Sequence, residues 1–263
     1  LLCKLMRIKI IVRSNSAPDG WSKNIFKFFC FKYIFKLADE IIVNSIDFKK
    51  KFKSKFNLRT ICIYNPLNKK EIIKKSKIKP KYLFKKKKIY LINVARFTDQ
   101  KDQITLLKAI NIIKERLNFS LIIVGYGKKK SFLLNYIKKN NLTKNVKILP
   151  YQNNPYNLIK LSDIFILTSI FEGLPNVLLE AQVLKKFIIS SDCPTGPREI
   201  LLNGKAGYLF RPRDYKNLAK LIIKASKNKN QINKKVMVGY KNLHRFDYKV
   251  NLNKYYNLIN RFL

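Results

Sequence analysis

Histidine is nearly absent from this sequence, since His244 is the single histidine among 263 residues. It lies in a polar C-terminal stretch, where a lone histidine is most often a surface residue, so catalysis by a histidine pair or a Ser-His-Asp triad is excluded. Cysteine is equally sparse: Cys3, Cys30, Cys62 and Cys193 lie far apart and form no Cys-x-x-Cys or Cys/His cluster. The sequence therefore predicts neither a zinc site nor a disulfide framework and favours a reducing compartment.

Acidic residues are also scarce: 15 Asp and Glu stand against 56 Lys and Arg, which gives a formal net charge of +41. Such a field attracts polyanions, among them nucleic acid, anionic lipid and phosphorylated substrates. The lysines are scattered over the predicted helices, and Lys, Asn, Ile and Phe are over-used together. Drift toward AT-rich codons is therefore the favoured explanation, and a selected anionic partner stays open.

Long apolar runs are missing as well, because no segment approaches the ~18 apolar residues that a membrane-spanning helix needs. The nearest candidate, Ile25–Leu37, is interrupted by Lys27, Lys32 and Lys36, which a helical wheel places on two opposite sides. The segment is not a clean interfacial helix. Its mixture of aromatic and basic residues, extended to Trp21, nevertheless suits a membrane surface.

Strand-like runs rich in Ile, Leu and Val alternate with helical runs along most of the chain. This alternation predicts an α/β fold with parallel sheets covered by helices on both faces. The predicted strands are Lys9–Arg13, Glu40–Asn44, Thr60–Ile63, Ile89–Ala95, Ser120–Val124, Val146–Leu149, Ile164–Thr168, Phe187–Ser190 and Gly207–Phe210. The main predicted helices are Asp102–Arg116, Lys129–Lys139, Pro155–Leu161, Pro175–Leu184 and Asp214–Lys227, and only helix is expected beyond about residue 232.

A basic stretch at residues 68–87 divides the sequence, and we expect a linker there because it contains Pro80 and lacks strong periodicity. Residues 1–67 hold only about three strands, too few for a doubly wound sheet, and look like the end of a first domain. Residues 88–230 hold a nearly complete α/β domain, and residues 231–263 are expected to form C-terminal helices. Because the chain begins at Leu1 without a methionine, we expect further N-terminal sequence.

The segment from Glu172 to Glu180 follows the strand Ile164–Thr168, and ligands of open parallel sheets bind at such carboxyl ends. Gly173 is expected to let the backbone turn sharply, and Pro175 suits the first position of the next helix. Backbone amides at this helix start can bind an anion or sugar oxygens. These amides belong to Gly173, Leu174, Asn176 and Val177.

Glu180 stands at an unexpected place on the predicted helix Pro175–Leu184. The helix is apolar nearly all round, which is typical of a buried helix, and Glu180 lies between Val183 and Leu184 on a helical wheel. A carboxylate in that arc requires hydrogen-bond donors, and the vicinal hydroxyls of a ribose would serve. An ion pair with a lysine or arginine at the domain rim explains the position equally well.

Two basic residues follow the strand Ile89–Ala95. Arg96 leaves the strand directly, and Lys101 starts the following helix, where the macrodipole disfavours a cation unless an anion is bound in front of it. Both are placed to clamp a diphosphate, although either alone is weak evidence in so basic a chain. Gly125-Tyr126-Gly127 lacks dinucleotide and P-loop spacing and predicts a tight turn. No Asp-x-Asp motif occurs, so no metal-bridged diphosphate is expected.

Together these segments resemble the retaining glycosyltransferases of family 4, which have the GT-B fold. The resemblance covers about residues 89–215 and rests chiefly on the Glu-x7-Glu spacing of Glu172 and Glu180. Supporting segments are ARFTDQKD around Arg96 and Lys101, IVGYG at 123–127, SD at 162–163 and NG at 203–204. The stretch SSDCPTGPREIL at 190–201 is similar to bacterial members that build lipid-linked or surface polysaccharides. Upstream, ADEI at 38–41 and YNP at 64–66 resemble the end of the family's first domain.

The resemblance implies a GT-B-like protein with a complete C-terminal Rossmann-like domain and the remnant of an N-terminal, acceptor-side Rossmann-like domain. Arg96 and Lys101 would neutralise the diphosphate of a UDP- or GDP-sugar donor, and Glu180 would bind its ribose. Glu172, the catalytic residue, would face the transferred sugar, and the amides of residues 173–177 would hold sugar and phosphate oxygens. The family's front-face attack, assisted by the leaving phosphate, needs no protein nucleophile, and neither a cofactor nor a metal is expected.

Three positions depart from the family's pattern. Lys185-Lys186-Phe187 stands where a glycine often follows the helix after Glu180, and Pro150-Tyr151 stands where a glycine commonly precedes the base-binding loop. Arg13-Ser14-Asn15 stands at a strand end where the family often has a histidine.

The resemblance thus implies transfer of a sugar from a nucleotide sugar to a glycan or lipid-linked acceptor, with retention of configuration. We expect a cytoplasmic protein, and a peripheral position on an anionic inner membrane face stays open. Two alternatives remain. One is a basic nucleic-acid-binding protein, which the charge suggests but which no zinc-finger, helix-turn-helix or RNP-type motif supports. The other is a truncated donor-binding module without catalytic activity.

Overall fold

The computed structural model describes residues 2–20, 24–80 and 88–263. Two parallel sheets organise them, and we call the parts of the chain around the first and the second sheet the first and second domains. This arrangement confirms the predicted parallel α/β fold. The expected strands end within one or two residues of the observed ones, because runs of Ile, Leu and Val buried on both faces give a clear signal.

The first domain has a three-stranded sheet of order β1-β2-β3. Phe48, Phe52 and Phe56 recur every four residues along α3, so that they form one stripe that packs beneath α2 and the sheet. Ser45 caps the start of α3 by accepting a hydrogen bond from the amide of Phe48. The elements are α1 (Leu2–Leu5), β1 (Ile11–Ser14), α2 (Ile25–Lys36), β2 (Glu40–Val43), α3 (Ile46–Phe56) and β3 (Ile61–Cys62).

The second domain has a six-stranded sheet of order β6-β5-β4-β7-β8-β9 with helices on both faces. Successive residues of β4 point to opposite faces: Leu91 packs in the core with α5 and α10, and Ile92 in the core with α8. The strands are β4 (Ile89–Val94), β5 (Phe119–Val124), β6 (Val146–Leu149), β7 (Ile164–Leu167), β8 (Phe187–Ser191) and β9 (Tyr208–Phe210). The helices are α4 (Lys69–Ser76), α5 (Gln103–Ile113), α6 (Lys130–Lys139), α7 (Tyr156–Leu161), α8 (Asn176–Val183), α9 (Pro197–Ile200), α10 (Tyr215–Lys227), α11 (Lys229–Lys241) and α12 (Tyr248–Asn260).

Helix α4 lies within the first part of the expected linker at 68–87. Asn68 caps this helix by accepting a hydrogen bond from the amide of Glu71, and Ile72 is buried in the core of the second domain. The many lysines around Ile72 conceal its amphipathic pattern in the sequence. Residues 81–87 lie outside the described residues.

The C-terminal helices join the two domains. Helix α11 packs on α8 and β8 of the second domain, whereas α12 returns to the first sheet. There Leu258 packs against Ile42 and Ile63, and Arg261 pairs with Glu40 at 3.2 Å. None of the helices in the described ranges is long and apolar enough to cross a bilayer.

Candidate functional site

The carboxyl ends of both sheets open onto one cleft of about 670 Å³. Seven of the eight predicted site residues line it, and Gly173 is the exception. The second domain contributes Val94, Ala95, Arg96, Lys101, Glu172, Leu174, Pro175, Asn176, Val177 and Glu180. The first domain contributes the opposite wall, formed by Arg13, Asn15, Asn44, Asn65 and Pro66.

A side pocket of about 270 Å³ adjoins the cleft and shares Arg96 and Glu180 with it. Three tyrosines line this pocket. The rings of Tyr126 and Tyr151 meet edge to face with centroids 5.7 Å apart, and Tyr156 lies beside Glu180. Aromatic faces next to a carboxylate suit a ligand with a flat ring and neighbouring hydroxyl groups.

Glu172 and Lys101 form an ion pair, with 2.5 Å between Oε1 and Nζ. Their side chains are only 8% and 15% exposed. The backbone fixes both residues, because the Glu172 amide donates to the carbonyl of Pro194 and the Thr168 hydroxyl donates to the carbonyl of Lys101. Lys101 precedes α5, where we expected a bound anion in front of it. Glu172 supplies that negative charge within the protein.

Arg96 is the cation of this wall that remains open to solvent. It follows β4 after Ala95, and its carbonyl accepts a hydrogen bond from the side-chain amide of Gln103 at 2.9 Å. Within the described part of the chain no carboxylate pairs with its guanidinium. Its charge and its five N–H donors therefore face the junction of cleft and side pocket.

Glu180 is half-buried on α8 and has no lysine or arginine partner among the described residues. The alternative of an ion pair at the domain rim is therefore not realised there. Burial raises the pKa of its carboxyl to about 7, and the Tyr156 hydroxyl offsets part of this rise. Burial beside Glu180 likewise raises the pKa of Tyr156 to about 12. The site thus holds a carboxyl group that changes charge near neutral pH.

Gly173 has a different role from the sharp turn that we expected. It lies in extended backbone and forms an antiparallel bridge with Ser16 of the first domain. A Cβ atom at this position would lie 2.0 Å from the carbonyl oxygen of Asn15. The glycine is required by the close approach of the two domains. Pro175 is also one residue outside its expected place, because it precedes the first residue of α8.

The first residues of α8, Asn176 and Val177, line the cleft. Leu178 donates to the carbonyl of Pro175, so Asn176 and Val177 supply the first amides of the helix. The Asn176 side chain is already engaged, because its Oδ1 accepts a hydrogen bond from Asn65 Nδ2 at 2.5 Å. No group of three or more metal-ligating side chains occurs within the ranges described above.

The sequence was compared with known protein families. Residues 74–242 match the family described as Glycosyl transferases group 1, and this match covers well over half of the chain. The chain belongs to this family. Its parallel α/β architecture is that of the GT-B glycosyltransferases.

Two curated relatives illustrate the likeness of this family member. It is 34% identical over 241 residues to the uncharacterized glycosyltransferase MJ1059 of Methanocaldococcus jannaschii, with 81% of this chain and 59% of the relative covered. It is 27% identical over 215 residues to a Campylobacter jejuni enzyme, with 77% of this chain and 56% of the relative covered. That enzyme is the N-acetylgalactosamine-N,N'-diacetylbacillosaminyl-diphospho-undecaprenol 4-alpha-N-acetylgalactosaminyltransferase. The chain thus spans between half and two thirds of the length of these relatives.

A solved structure supports the same fold. Anabaena Alr3699/HepE in complex with UDP-glucose superposes with a TM-score of 0.84 at 18% sequence identity. The superposition covers 98% of this chain and 74% of the Anabaena chain. Both domains and the C-terminal helices of this family member therefore follow a known arrangement.

Glu199 of this family member ties α3 to the second domain. Its carboxylate accepts hydrogen bonds from the amides of Ile46 and Asp47 at 3.2 and 3.0 Å, and from the Tyr64 hydroxyl at 2.5 Å. A carboxylate at a helix N-terminus is favoured by the helix macrodipole. This contact fixes the first domain beside the cleft.

Sequence reasoning missed the wall of the cleft that the first domain supplies and the tyrosines of the side pocket. A usable signal existed for the wall, because Arg13, Asn44 and Asn65 stand at or just after the ends of β1, β2 and β3. The tyrosines gave no such signal, since this chain has 14 of them and most are unrelated to the site.

Proposed function

We propose that this chain binds the donor in a retaining glycosyltransferase of family 4, which transfers a sugar from a UDP-sugar to a lipid-linked or other glycan acceptor. The observation that carries the proposal is Glu180. It is a half-buried carboxyl group without a cationic partner in the described chain, and it lies where the cleft meets an aromatic side pocket beside Arg96. A nucleoside diphosphate meets all three features at once.

The donor occupies both cavities in this proposal. Its base enters the side pocket between Tyr126 and Tyr151, and its ribose hydroxyls bond to Glu180. Arg96 binds the diphosphate as a two-pronged donor. The UDP and the UDP-glucose bound in two structures of the Anabaena protein favour uracil over guanine as the base, although the sequence alone leaves a GDP-sugar open.

The Lys101–Glu172 pair lies at the reacting end of the donor. The phosphate competes with Glu172 for Lys101, and Glu172 then turns toward hydroxyl groups of the transferred sugar. The amides of residues 173–177 hold sugar and phosphate oxygens. Negative charge grows on the leaving phosphate in the transition state, and the cations Arg96 and Lys101 stabilise it there.

Retention of configuration fits this set of groups. The bond between the anomeric carbon and the β-phosphate oxygen breaks, and the acceptor oxygen forms its new bond on the same face. The acceptor hydroxyl proton passes to the leaving phosphate. The reaction is then complete without a protein nucleophile. Glu172 is paired with Lys101 and is not needed as a base in this scheme.

A lipid-linked acceptor is supported by the Campylobacter relative, whose name specifies a diphospho-undecaprenol acceptor. Helix α2 supports a peripheral position on an anionic membrane. Its inner side packs on α3, but its outer side exposes Phe26, Phe29 and Tyr33 at 74%, 60% and 58%. Lys27, Lys32 and Lys36 add positive charge to the same helix, and such a mixture of aromatic and basic residues suits an anionic membrane surface. Trp21, part of the expected membrane segment, lies outside the described residues.

A transfer assay tests the reaction. The chain is incubated with UDP-glucose or UDP-N-acetylglucosamine and a sugar linked to undecaprenyl diphosphate, and the anomeric configuration of the product is determined by NMR. We expect an α-linked product from an α-linked donor. A β-linked product would contradict retention. Binding of single-stranded RNA together with failure to bind any nucleotide sugar would favour the nucleic-acid alternative instead.

A further inference from the structure

A further pocket, of about 380 Å³, lies at the edge of the six-stranded sheet opposite the cleft. The first residues of β4, β7 and β8, which are Ile89, Ile164 and Phe187, line this amino-end pocket, whereas the cleft lies at the carboxyl ends of the strands. A strand of six residues such as β4 spans about 17 Å, and the two cavities share none of their described lining residues. A cavity of this size suits a small molecule.

Part of the wall of the amino-end pocket is apolar. Ile164 and Phe187 are buried beneath it, whereas Ile89 and two residues of α11, Ile232 and Val236, are only partly buried. Apolar surface that stays in contact with water inside a concave pocket favours a ligand with an apolar part, because binding removes both surfaces from water.

The rest of the wall is strongly basic. The lining lysines are Lys88, Lys185, Lys186 and Lys229. Asp163 is the carboxylate on this wall, and it is already engaged, because its Oδ2 accepts a hydrogen bond from the amide of Tyr90 at 2.7 Å. Lys185 is engaged as well, since its Nζ lies 4.8 Å from the ring centroid of Tyr240. The other three lysines remain for an anionic ligand.

Lys186 distinguishes this pocket from the lysine-rich surface elsewhere. The residue is half-buried, and no carboxylate pairs with its ammonium group in the part of the chain that the structure describes. Burial lowers the pKa of this amino group, Asp163 opposes the shift, and Lys160 adds to it. An ammonium group removed from water without a partner is unfavourable, and a bound anion would supply the missing interaction.

We propose that the amino-end pocket binds a small phosphate ester whose organic part is apolar. The phosphate accepts charge-assisted hydrogen bonds from Lys186, and Lys88 and Lys229 add positive charge around it. The organic part packs against Ile89 and Val236. Three ammonium groups around one pocket suit a doubly charged phosphate better than a singly charged carboxylate. This site is independent of the proposed transfer reaction, because its described lining residues lie outside the cleft and the side pocket.

Larger anions fit the amino-end pocket less well. The phosphates of a nucleic acid are diesters between sugars, and they would contact lysines at the surface without reaching the apolar part of the wall. A volume of about 380 Å³ is too small for the two acyl chains of a phospholipid. The apolar side chains and the half-buried Lys186 therefore favour a small ester with a single organic group.

Calorimetric titration with three probes tests the pocket. Hexyl phosphate, inorganic phosphate and hexanol are each titrated into the wild type, with and without saturating UDP. We expect hexyl phosphate to bind at least about tenfold more tightly than either of the other probes, because its charge and its apolar surface both contribute. UDP should leave this affinity unchanged, since it binds at the other edge of the sheet.

Two variants on different elements place the ligand. Lys186→Gln should weaken the binding of hexyl phosphate by at least about tenfold, because it removes the half-buried charge. Ser226→Phe, at the end of α10, should weaken it as well, because the ring fills the pocket while every lysine is kept. Lys220→Gln is the matched control, since Lys220 is exposed on α10 and does not line the pocket. It removes the same charge and should leave the affinity unchanged.

Several results would overturn the inference. Equal affinity for hexyl phosphate and inorganic phosphate would remove the apolar part, and displacement of hexyl phosphate by UDP would place the ester in the cleft. Wild-type affinity in both Lys186→Gln and Ser226→Phe would remove the pocket. Binding of single-stranded RNA that Lys186→Gln weakens, without binding of hexyl phosphate, would replace the ester with nucleic acid. Failure of the wild type to bind UDP would contradict the proposed function instead, and the two variants would still decide the amino-end pocket.

Discussion

Glu172 and Lys101 neutralise each other at the centre of the cleft, with 2.5 Å between their charged atoms. The two residues belong to loops that follow different strands, so the pair exists only in the folded second domain. The positive charge of Lys101 is paired within the protein, whereas Arg96 on the same wall is exposed and has no carboxylate partner among the described residues.

The Lys101–Glu172 pair should affect stability strongly when it is broken on one side. Lys101→Met leaves a buried carboxylate unpaired and should lower the free energy of unfolding by about 3 kcal/mol or more. The double variant Lys101→Met/Glu172→Leu should lose less than the single variant, because no charge is left behind. Urea unfolding measures both.

The surface pair of Lys75 and Glu71 is the matched control, because its side chains are 45% and 49% exposed. Lys75→Met should therefore change the free energy of unfolding far less than Lys101→Met does, because solvent screens an exposed pair. A loss in the double variant Lys101→Met/Glu172→Leu as large as that in Lys101→Met or larger would contradict the account.

Glu180 should make stability depend on pH. Burial raises the pKa of its carboxyl from an ordinary 4.5 to about 7, so between these values the folded protein holds a proton that the unfolded chain releases. The contribution of this group is complete below about pH 4.5 and is lost as the pH rises through about 7, a fall of up to about 3 kcal/mol. In Glu180→Gln that fall should be absent. Superimposable stability curves for the two proteins between pH 4 and about 8 would contradict the raised pKa of Glu180.

Helix α2 should bind anionic vesicles. We expect the chain to sediment with vesicles that contain phosphatidylglycerol but not with pure phosphatidylcholine, and the triple variant Phe26→Ser/Phe29→Ser/Tyr33→Ser should remain in the supernatant. The control variant is Tyr248→Ser/Leu252→Ser/Tyr256→Ser, which changes three exposed residues of α12. If both triple variants lose vesicle binding alike, or neither does, α2 is not the membrane-binding surface.

Glu199 should hold the two domains together. Glu199→Ala removes three hydrogen bonds to α3 and Tyr64 and should destabilise the contact by about 1–3 kcal/mol, which limited proteolysis of the first domain would report as faster cleavage. Its neighbour Arg198 is 60% exposed and pairs with Asp192, so Arg198→Ala should have a much smaller effect. Equal cleavage rates in the two variants would remove Glu199 from the domain contact.

The sequence predicts the sheets well and the site in part. The hydrophobic runs predicted β4 to β9 correctly, because strands buried on both faces appear in the sequence as short, nearly continuous apolar segments. Helix α4 was not predicted, because the lysines around its buried Ile72 conceal the amphipathic pattern. Glu180 could be predicted as a site residue from the sequence, since a carboxylate on an apolar helix needs a hydrogen-bond donor or a cation beside it.

Other features depend on contacts between distant segments and could not be predicted. The lysine that pairs with Glu172 lies 71 residues earlier. Gly173 is explained by Asn15, which lies in the other domain. The contact of Arg13 with Tyr255 forms only because α12 packs back onto the first domain.

The central claim is that the cleft and its side pocket bind a UDP-sugar through Glu180 and Arg96. The most direct test is isothermal titration of UDP into four proteins: the wild type, Glu180→Gln, Arg96→Gln and Arg116→Gln. The last is the control, because Arg116 is exposed and does not line the cleft. The account predicts saturable binding in the wild type and the control, and losses of at least about tenfold in the other two variants. Wild-type affinity in Glu180→Gln and Arg96→Gln, or no UDP binding by any of the four proteins, would contradict it.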